Sequence, residues 1–220
     1  MVTPVTPRTR RPGRPPGQPD GPDQRARLVD IALRLFASRG FAETTLAAIA
    51  REAGMTPAAI HYYFKTRDQL FDVVFDERIA PMRAHIESIF LANANDPVAA
   101  LTQLARRFVD LAERYPWLGP VFFGEMLREG DLFKQQLRKR LDEARQENVL
   151  GTLRRWQQEG RLNPELDPTL ILPSVMGLTM LPVSASRKWK GDPLRGHIGS
   201  EDIARHAVAL LTSGLSPPRA

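Results

Sequence analysis

Residues 44–65 read TTLAAIAREAGMTPAAIHYYFK, and the reactive groups here are an imidazole (His61), a phenol (Tyr62) and an ammonium (Lys65) following three compact residues, Pro57, Ala58 and Ala59. Hydroxyl, imidazole and ammonium groups reach base edges and phosphates, while small residues allow a helix backbone to approach a groove closely. The chemistry is recognition of nucleic acid. For those groups to face outward, two helices have to hold them. Leu46, Ile49, Ala50 and Ala53 fall at i, i+3, i+4 and i+7, which predicts one buried helix face started by Thr44 or Thr45. Gly54 supplies the positive φ that ends it, Thr56 is a ready N-cap and Pro57 suits a first helical position. Ile60 and Phe64, four apart, point back to the first helix and leave Pro57, Ala58, Ala59, His61, Tyr62 and Lys65 on or near the outer side.

The flanking sequence extends this unit. Leu28, Ile31, Ala32, Leu35 and Phe36 form a helical stripe closed by Arg39-Gly40-Phe41. Beyond Lys65, Thr66 and Gln69 form a candidate capping box for a further helix carrying Leu70, Val73, Val74 and Glu77. Across roughly residues 25–70, the capped turn and the run His61-Tyr62-Tyr63-Phe64-Lys65 resemble the TetR family of transcriptional regulators. The resemblance implies an all-α chain in which a three-helix helix-turn-helix DNA-binding head at 23–69 precedes a helical ligand-binding and dimerisation body at 70–215. It maps DNA contacts onto Thr45, Thr56, Ala58, Ala59, His61, Tyr62 and Lys65, with His61 standing where the family more often has a second tyrosine.

Charge is distributed in the same sense. Residues 1–70 carry 11 basic and 6 acidic side chains, whereas the remaining 150 carry 20 and 19. Lys and Arg neutralise phosphates, so the excess belongs with a DNA-binding head. The first 22 residues are too rich in Pro and Gly to pack and predict a disordered basic arm. Arg10 and Arg11 there precede Pro12-Gly13-Arg14-Pro15, and this basic run with Arg14 inside it is similar to the core of minor-groove hooks; a nonspecific basic tail is the other reading. No cysteine is present, which excludes disulfides and thiolate ligands, and no signal-like apolar run precedes the head, so the expected compartment is the cytoplasm.

Past the head the pattern stays helical. Asp96-Pro97 and Asp167-Pro168 are cap signals, Val98, Leu101, Ala105, Phe108 and Leu111 make one face, and Tyr115-Pro116 stops that helix. Helices are expected over about 117–127 and 131–159, the latter carrying Phe133, Leu137, Leu141, Ala144, Val149, Leu153 and Trp156. A last helix begins at Ser200. The uncharged stretch 168–186 is interrupted by Pro173, Gly177 and Pro182, which argues for a buried helix rather than a membrane span. By resemblance, 168–187 and 200–213 build a homodimer interface, and a twofold dimer reads an inverted repeat of double-stranded operator DNA.

Aromatic and methionine side chains make an adaptable apolar wall, so a cavity for a largely apolar small-molecule effector is expected among Met82, His85, Phe108, Trp117, Phe122, Phe123, Glu125, Met126, Met176 and Met180. Each of them is equally suited to plain core packing. Glu125, an acid within FFGEM, is expected to face solvent, pair with an arginine such as Arg128, or meet a ligand. The segment from Tyr115 through Leu127 also resembles a subgroup found with efflux or envelope-transport genes, although Gly124 stands where that subgroup often has arginine. His61, His85, His197 and His206 lack metal-ligand spacing, no nucleophile elbow or phosphate loop occurs, and an enzyme is not expected; no cofactor is either. The family mechanism is a repressor released when ligand retilts the helix begun by Thr66. An activator, a ligand-independent architectural DNA-binding protein, and an enzyme or binding module on the same fold remain open at this level.

Overall fold

The computed structural model describes residues 21–127, 135, 140 and 143–217. Arg11 and Arg14 lie outside these residues, as do Phe133, Leu137 and Leu141, and the side chain of Ala144 is likewise not described. Among the described residues every regular element is helical.

The head is α1 (Gly21–Arg39), α2 (Leu46–Glu52) and α3 (Pro57–Tyr63), and each start has a local cause. Thr45, not Thr44, caps α2 by accepting from the Ala48 N–H at 3.1 Å, because the Thr44 hydroxyl is buried and donates to the Gly40 carbonyl at 2.8 Å. Thr56 caps α3 through the Ala59 N–H at 3.2 Å, with Pro57 at its first turn. Between them Gly54 adopts φ +70°. Leu28, Ile49, Ile60, Phe64, Leu70 and Phe71 are fully buried in one cluster, so the head's core is completed by α4 (Arg67–Val74). The core thus crosses the expected boundary at residue 69. Burying Ile60 and Phe64 contributes roughly 1.5–3 kcal/mol each, which fixes α3 on the other helices.

The cap of α4 differs from the reciprocal box. Gln69 N–H donates to the Thr66 hydroxyl at 3.1 Å, but the Gln69 side chain accepts from the Lys65 N–H at 2.8 Å rather than from Thr66. A π-helical turn, Phe75–Ile79, then leads into α5 (Ala80–Ala92). Two surface ion pairs tie it to α1: Arg25 with Glu77 at 2.5 Å, and Asp30 with Arg78 at 3.2 Å.

The body is built around α6 (Pro97–Arg114), which Asp96 caps through the Ala99 N–H at 2.9 Å. Its buried face packs against α9 (Pro168–Ser186) and α10 (Ser200–Leu215). α7 (Leu118–Leu127) reaches from this bundle to α1, and Gly119 allows it close to Ser184, whose hydroxyl an added Cβ would strike. α8 (Glu143–Gln158) is anchored by Trp156, which stacks on Phe90 and donates to the Ala94 carbonyl at 2.7 Å. At the start of α9 the Thr169 hydroxyl and then its N–H hold the Asp167 carboxyl below the ordinary range.

Pro173 and Pro182 do not interrupt α9, which runs unbroken over 19 residues and is long and apolar enough by composition to cross a membrane. Packing against α6 and α10 supports it here: Ile171, Val175, Thr179, Met180 and Val183 are buried. Thr179 turns its hydroxyl onto the Val175 carbonyl at 2.7 Å, so the one fully buried polar side chain in the helix is satisfied locally.

Gly54 tests the turn that sets α2 against α3. A Cβ there meets nothing within 4 Å, so Gly54→Ala carries only the cost of the left-handed backbone, roughly 1–2 kcal/mol. Urea denaturation should show a lower midpoint at unchanged slope; an unshifted midpoint would mean that the turn does not hold this conformation.

Candidate nucleic-acid interface and body cavity

The outward side of α3 is separated from its inward side residue by residue. Ile60 and Phe64 are 0% exposed while Tyr62 is 85% exposed, and Pro57, Ala58, His61 and Lys65 are exposed beside it. Ala59 is half-buried, and Thr45 and Thr56 are exposed at the two helix starts. Of the eight sequence candidates within the head, five lie on α3, Thr45 and Thr56 cap α2 and α3, and Lys65 follows the end of α3. Tyr63 is half-buried against the head core and meets Tyr62 edge-on at 5.2 Å, giving the exposed ring a support. Held that far into solvent, the Tyr62 ring takes no part in the core.

The second feature is a cavity of about 510 Å³ in the body, within the range of small-molecule sites. Six of the ten sequence candidates line it: Met82, Phe108, Trp117, Phe122, Met176 and Met180. The other four stand elsewhere. His85 is exposed on α5, Phe123 packs into the body core, Met126 is 43% exposed, and Glu125 is buried towards the head. Phe122, Phe123, Glu125 and Met126 lie within little more than one turn of α7 and cannot share a direction, so they face the cavity, the body core, the head and solvent respectively.

Sequence reasoning missed the polar edge of the cavity. Arg83 and Glu87, one turn apart on α5, line it together with Thr169. The signal was present: Met82 and Ile86 are four apart, as are Arg83 and Glu87, so an apolar pair and a charged pair run along neighbouring stripes. Among the described residues no three His, Asp or Glu side chains stand close enough to hold a metal ion.

Head and cavity share residues. Val121 is 5% exposed, belongs to the head core and lines the cavity; Ile79 and Trp117 pack against the same core and line the same cavity. Glu125, one turn beyond Val121, accepts from the Phe41 N–H at 2.7 Å, so it meets the head's backbone and neither solvent nor the cavity. α7 and the π-helical turn thus both contact the head.

The comparisons with known proteins agree with this pairing of parts. Residues 28–74 match the family model described as bacterial regulatory proteins, tetR family, and residues 75–181 match the one described as YcdC-like protein, C-terminal region. The HTH-type transcriptional repressor KstR2 of Mycolicibacterium smegmatis is 24% identical over 195 residues, 88% of this chain and 91% of its own length. Two solved structures share the fold. The ketosteroid transcriptional regulator KstR2 of Mycobacterium tuberculosis has a TM-score of 0.64 at 19% identity, covering 90% of this chain and 97% of that one. FadR from Bacillus subtilis in complex with stearoyl-CoA has 0.57 at 20% identity, covering 86% and 98%.

Filling the cavity tests whether it admits a ligand. Met176→Trp places an indole into the space that Met82, Phe108 and Phe122 surround, and an apolar fluorophore bound by the unsubstituted protein should lose about tenfold in affinity. Equal fluorophore affinity in both proteins would contradict an accessible cavity.

Proposed function

Because the chain belongs to the tetR family of bacterial regulatory proteins, we propose that it acts as a homodimeric repressor released from an inverted-repeat operator by an apolar small molecule. Helix-turn-helix DNA binding and transcriptional regulation come with the family, as does the absence of enzymatic activity in relatives named as regulators. The homodimer, the operator's symmetry and release by ligand are this reading's own steps. One observation carries it: the cavity's walls, Ile79, Trp117 and Val121, are also packed on the head.

In this reading Tyr62 and His61 touch base edges, Lys65 touches phosphate, and the backbone at Pro57, Ala58 and Ala59 approaches the groove. Thr45 and Thr56 cap their helices and offer hydroxyls to the backbone of the duplex. Arg11 and Arg14 add either minor-groove or nonspecific contacts. The head spans 23–69 and the body 70–215, joined through α4 and α7.

Dimerisation is supported by what α9 and α10 leave uncovered. Leu170 and Leu181 are 60% and 53% exposed and lie on one stripe with Ser174 and Gly177; Leu210 on α10 is 49% exposed, near Ala209 and Ser213. Leucines interspersed with small residues suit close helix packing across a twofold axis. With α9 and α10 from each protomer, that interface is a four-helix bundle, and it sets the distance between the two α3 helices.

The effector in this reading is an elongated apolar molecule with one polar end. Met82, Phe108, Trp117, Phe122, Met176 and Met180 surround the apolar part, and Arg83 and Thr169 offer donors to the polar end. A stearoyl-CoA complex of a protein with the same fold supports that class of molecule. Ligand-bound protein favours a state in which the heads are misplaced, so operator affinity falls by the ratio of effector affinities for the two states. The cytoplasm is the compartment where such a regulator meets DNA.

Selection of bound DNA from a random pool tests the reading; recovery of a symmetric site is expected, and recovery of no preferred sequence would refute it. On the selected site, His61→Ala with Tyr62→Ala should lower specific affinity by about 10- to 100-fold while nonspecific binding changes little. Lys65→Ala should weaken all DNA alike and reduce the salt slope by about one unit per contact. Equal losses on specific and bulk DNA for the first variant, or an unchanged slope for the second, would remove those residues from the roles given.

A further inference from the structure

Glu125 has a position that DNA reading and ligand binding leave unexplained. It is 5% exposed, on an otherwise apolar helix, and a buried carboxylate is costly unless hydrogen bonds satisfy it. Its Oε1 accepts from the Phe41 N–H at 2.7 Å, joining residues 84 apart in sequence. Phe41 lies in the turn between α1 and α2, its ring packed on Phe36 at 5.2 Å and on Phe71 at 5.0 Å. Arg67 covers the same ring at 4.8 Å and donates to the Ala42 carbonyl at 3.1 Å. The acceptor therefore grips a turn that is itself immobilised in the head core.

Apolar packing of α7 on the head core aside, the other polar links between α1 and the body are of a different kind. Arg25–Glu77 and Asp30–Arg78 are partly exposed ion pairs along the first half of α1, where solvent and salt weaken them. A buried, charge-assisted bond keeps its direction as well as its strength.

We propose that Glu125 is a positioning residue for operator recognition: by holding the Phe41 amide it fixes the angle of the head on the body, and with it the separation of the two α3 helices in a dimer. Glu125 touches no base. It acts through the backbone of the α1–α2 turn, and because Val121 and Phe122 on the same helix line the cavity, whatever shifts α7 shifts the acceptor. The inference rests on the dimeric, DNA-binding reading of the chain and adds to it a route from cavity to head through α7, independent of a tilt of α4.

The test uses the full-length protein with Glu125→Ala and Glu125→Gln, the latter keeping a carbonyl oxygen where Oε1 stands. Three readouts are compared: exchange of the Phe41 amide hydrogen, affinity for the selected inverted repeat and for an isolated half-site, and affinity for repeats whose spacer is lengthened or shortened by a base pair or two. Glu125→Ala should speed Phe41 exchange about tenfold, leave half-site affinity within about twofold, lower full-site affinity about tenfold and flatten the spacer preference. Glu125→Gln should stay close to the unsubstituted protein in all three. Unchanged Phe41 exchange in the alanine variant overturns the proposal. So does a parallel loss of half-site and full-site binding, which would assign Glu125 to the head's stability alone, or a glutamine variant as impaired as the alanine one. If the unsubstituted protein itself prefers no inverted repeat to a half-site, the dimeric reading fails, and Phe41 exchange still reports separately on the bond.

Discussion

Val121 is packed twice: it is buried in the core of the head, and it forms part of the cavity wall in the body. Protein interiors are close-packed and transmit displacement, so a side chain shared by two compartments cannot adjust to one without disturbing the other. Ile79 and Trp117 share the same double duty. The rest of the molecule can be understood as what holds this seam in register. α6 supports α9 and α10 behind the cavity, α1 and α4 close the head above it, and α7 passes between them.

The seam is also where polar groups are held most tightly. On its buried side Glu125 binds the Phe41 amide, and on its exposed side Arg25, Asp30, Glu77 and Arg78 form ion pairs; a further pair joins Asp72 of α4 to Arg140. Individually the exposed pairs contribute little, on the order of 0–1 kcal/mol each. They cluster at the π-helical turn, a kind of turn at which helices change register or direction. Head and body are thus joined by a buried hydrogen bond, by apolar packing at Val121, Ile79 and Trp117, and by weaker surface ion pairs.

Much of this was readable from residue types. Thr56-Pro57, Asp96-Pro97 and Asp167-Pro168 each start a helix, because a side-chain acceptor followed by proline has few other uses. The 3.6-residue spacing of Ile60 and Phe64 identified the inner side of α3, hence the outer one. What stayed hidden depended in part on distant partners. FDERI looks like ordinary helix, and its π-turn at Phe75–Ile79 stands just before Pro81, which has no N–H to give to the Glu77 carbonyl. Glu125 finds a backbone amide 84 residues away, which no local pattern encodes. The buried helix expected over 168–186 is α9, which runs through Pro173 and Pro182 while packed on α6 and α10. The wall of the cavity was half legible for a related reason: aromatic and methionine residues mark apolar surroundings, and only the rotation of α7 decides that Phe122 faces the cavity while Phe123 enters the body core.

The central claim is that cavity and DNA-reading face are one coupled system, and thermodynamic reciprocity tests it most directly. Once a site has been selected and an apolar fluorophore bound in the cavity, ligand affinity should be measured with and without saturating operator, and operator affinity with and without saturating ligand. Coupling through the shared wall predicts that the two ratios are equal and differ from one, by about 5- to 150-fold for couplings of ordinary size. Tight binding of both partners with each affinity indifferent to the other would contradict the account.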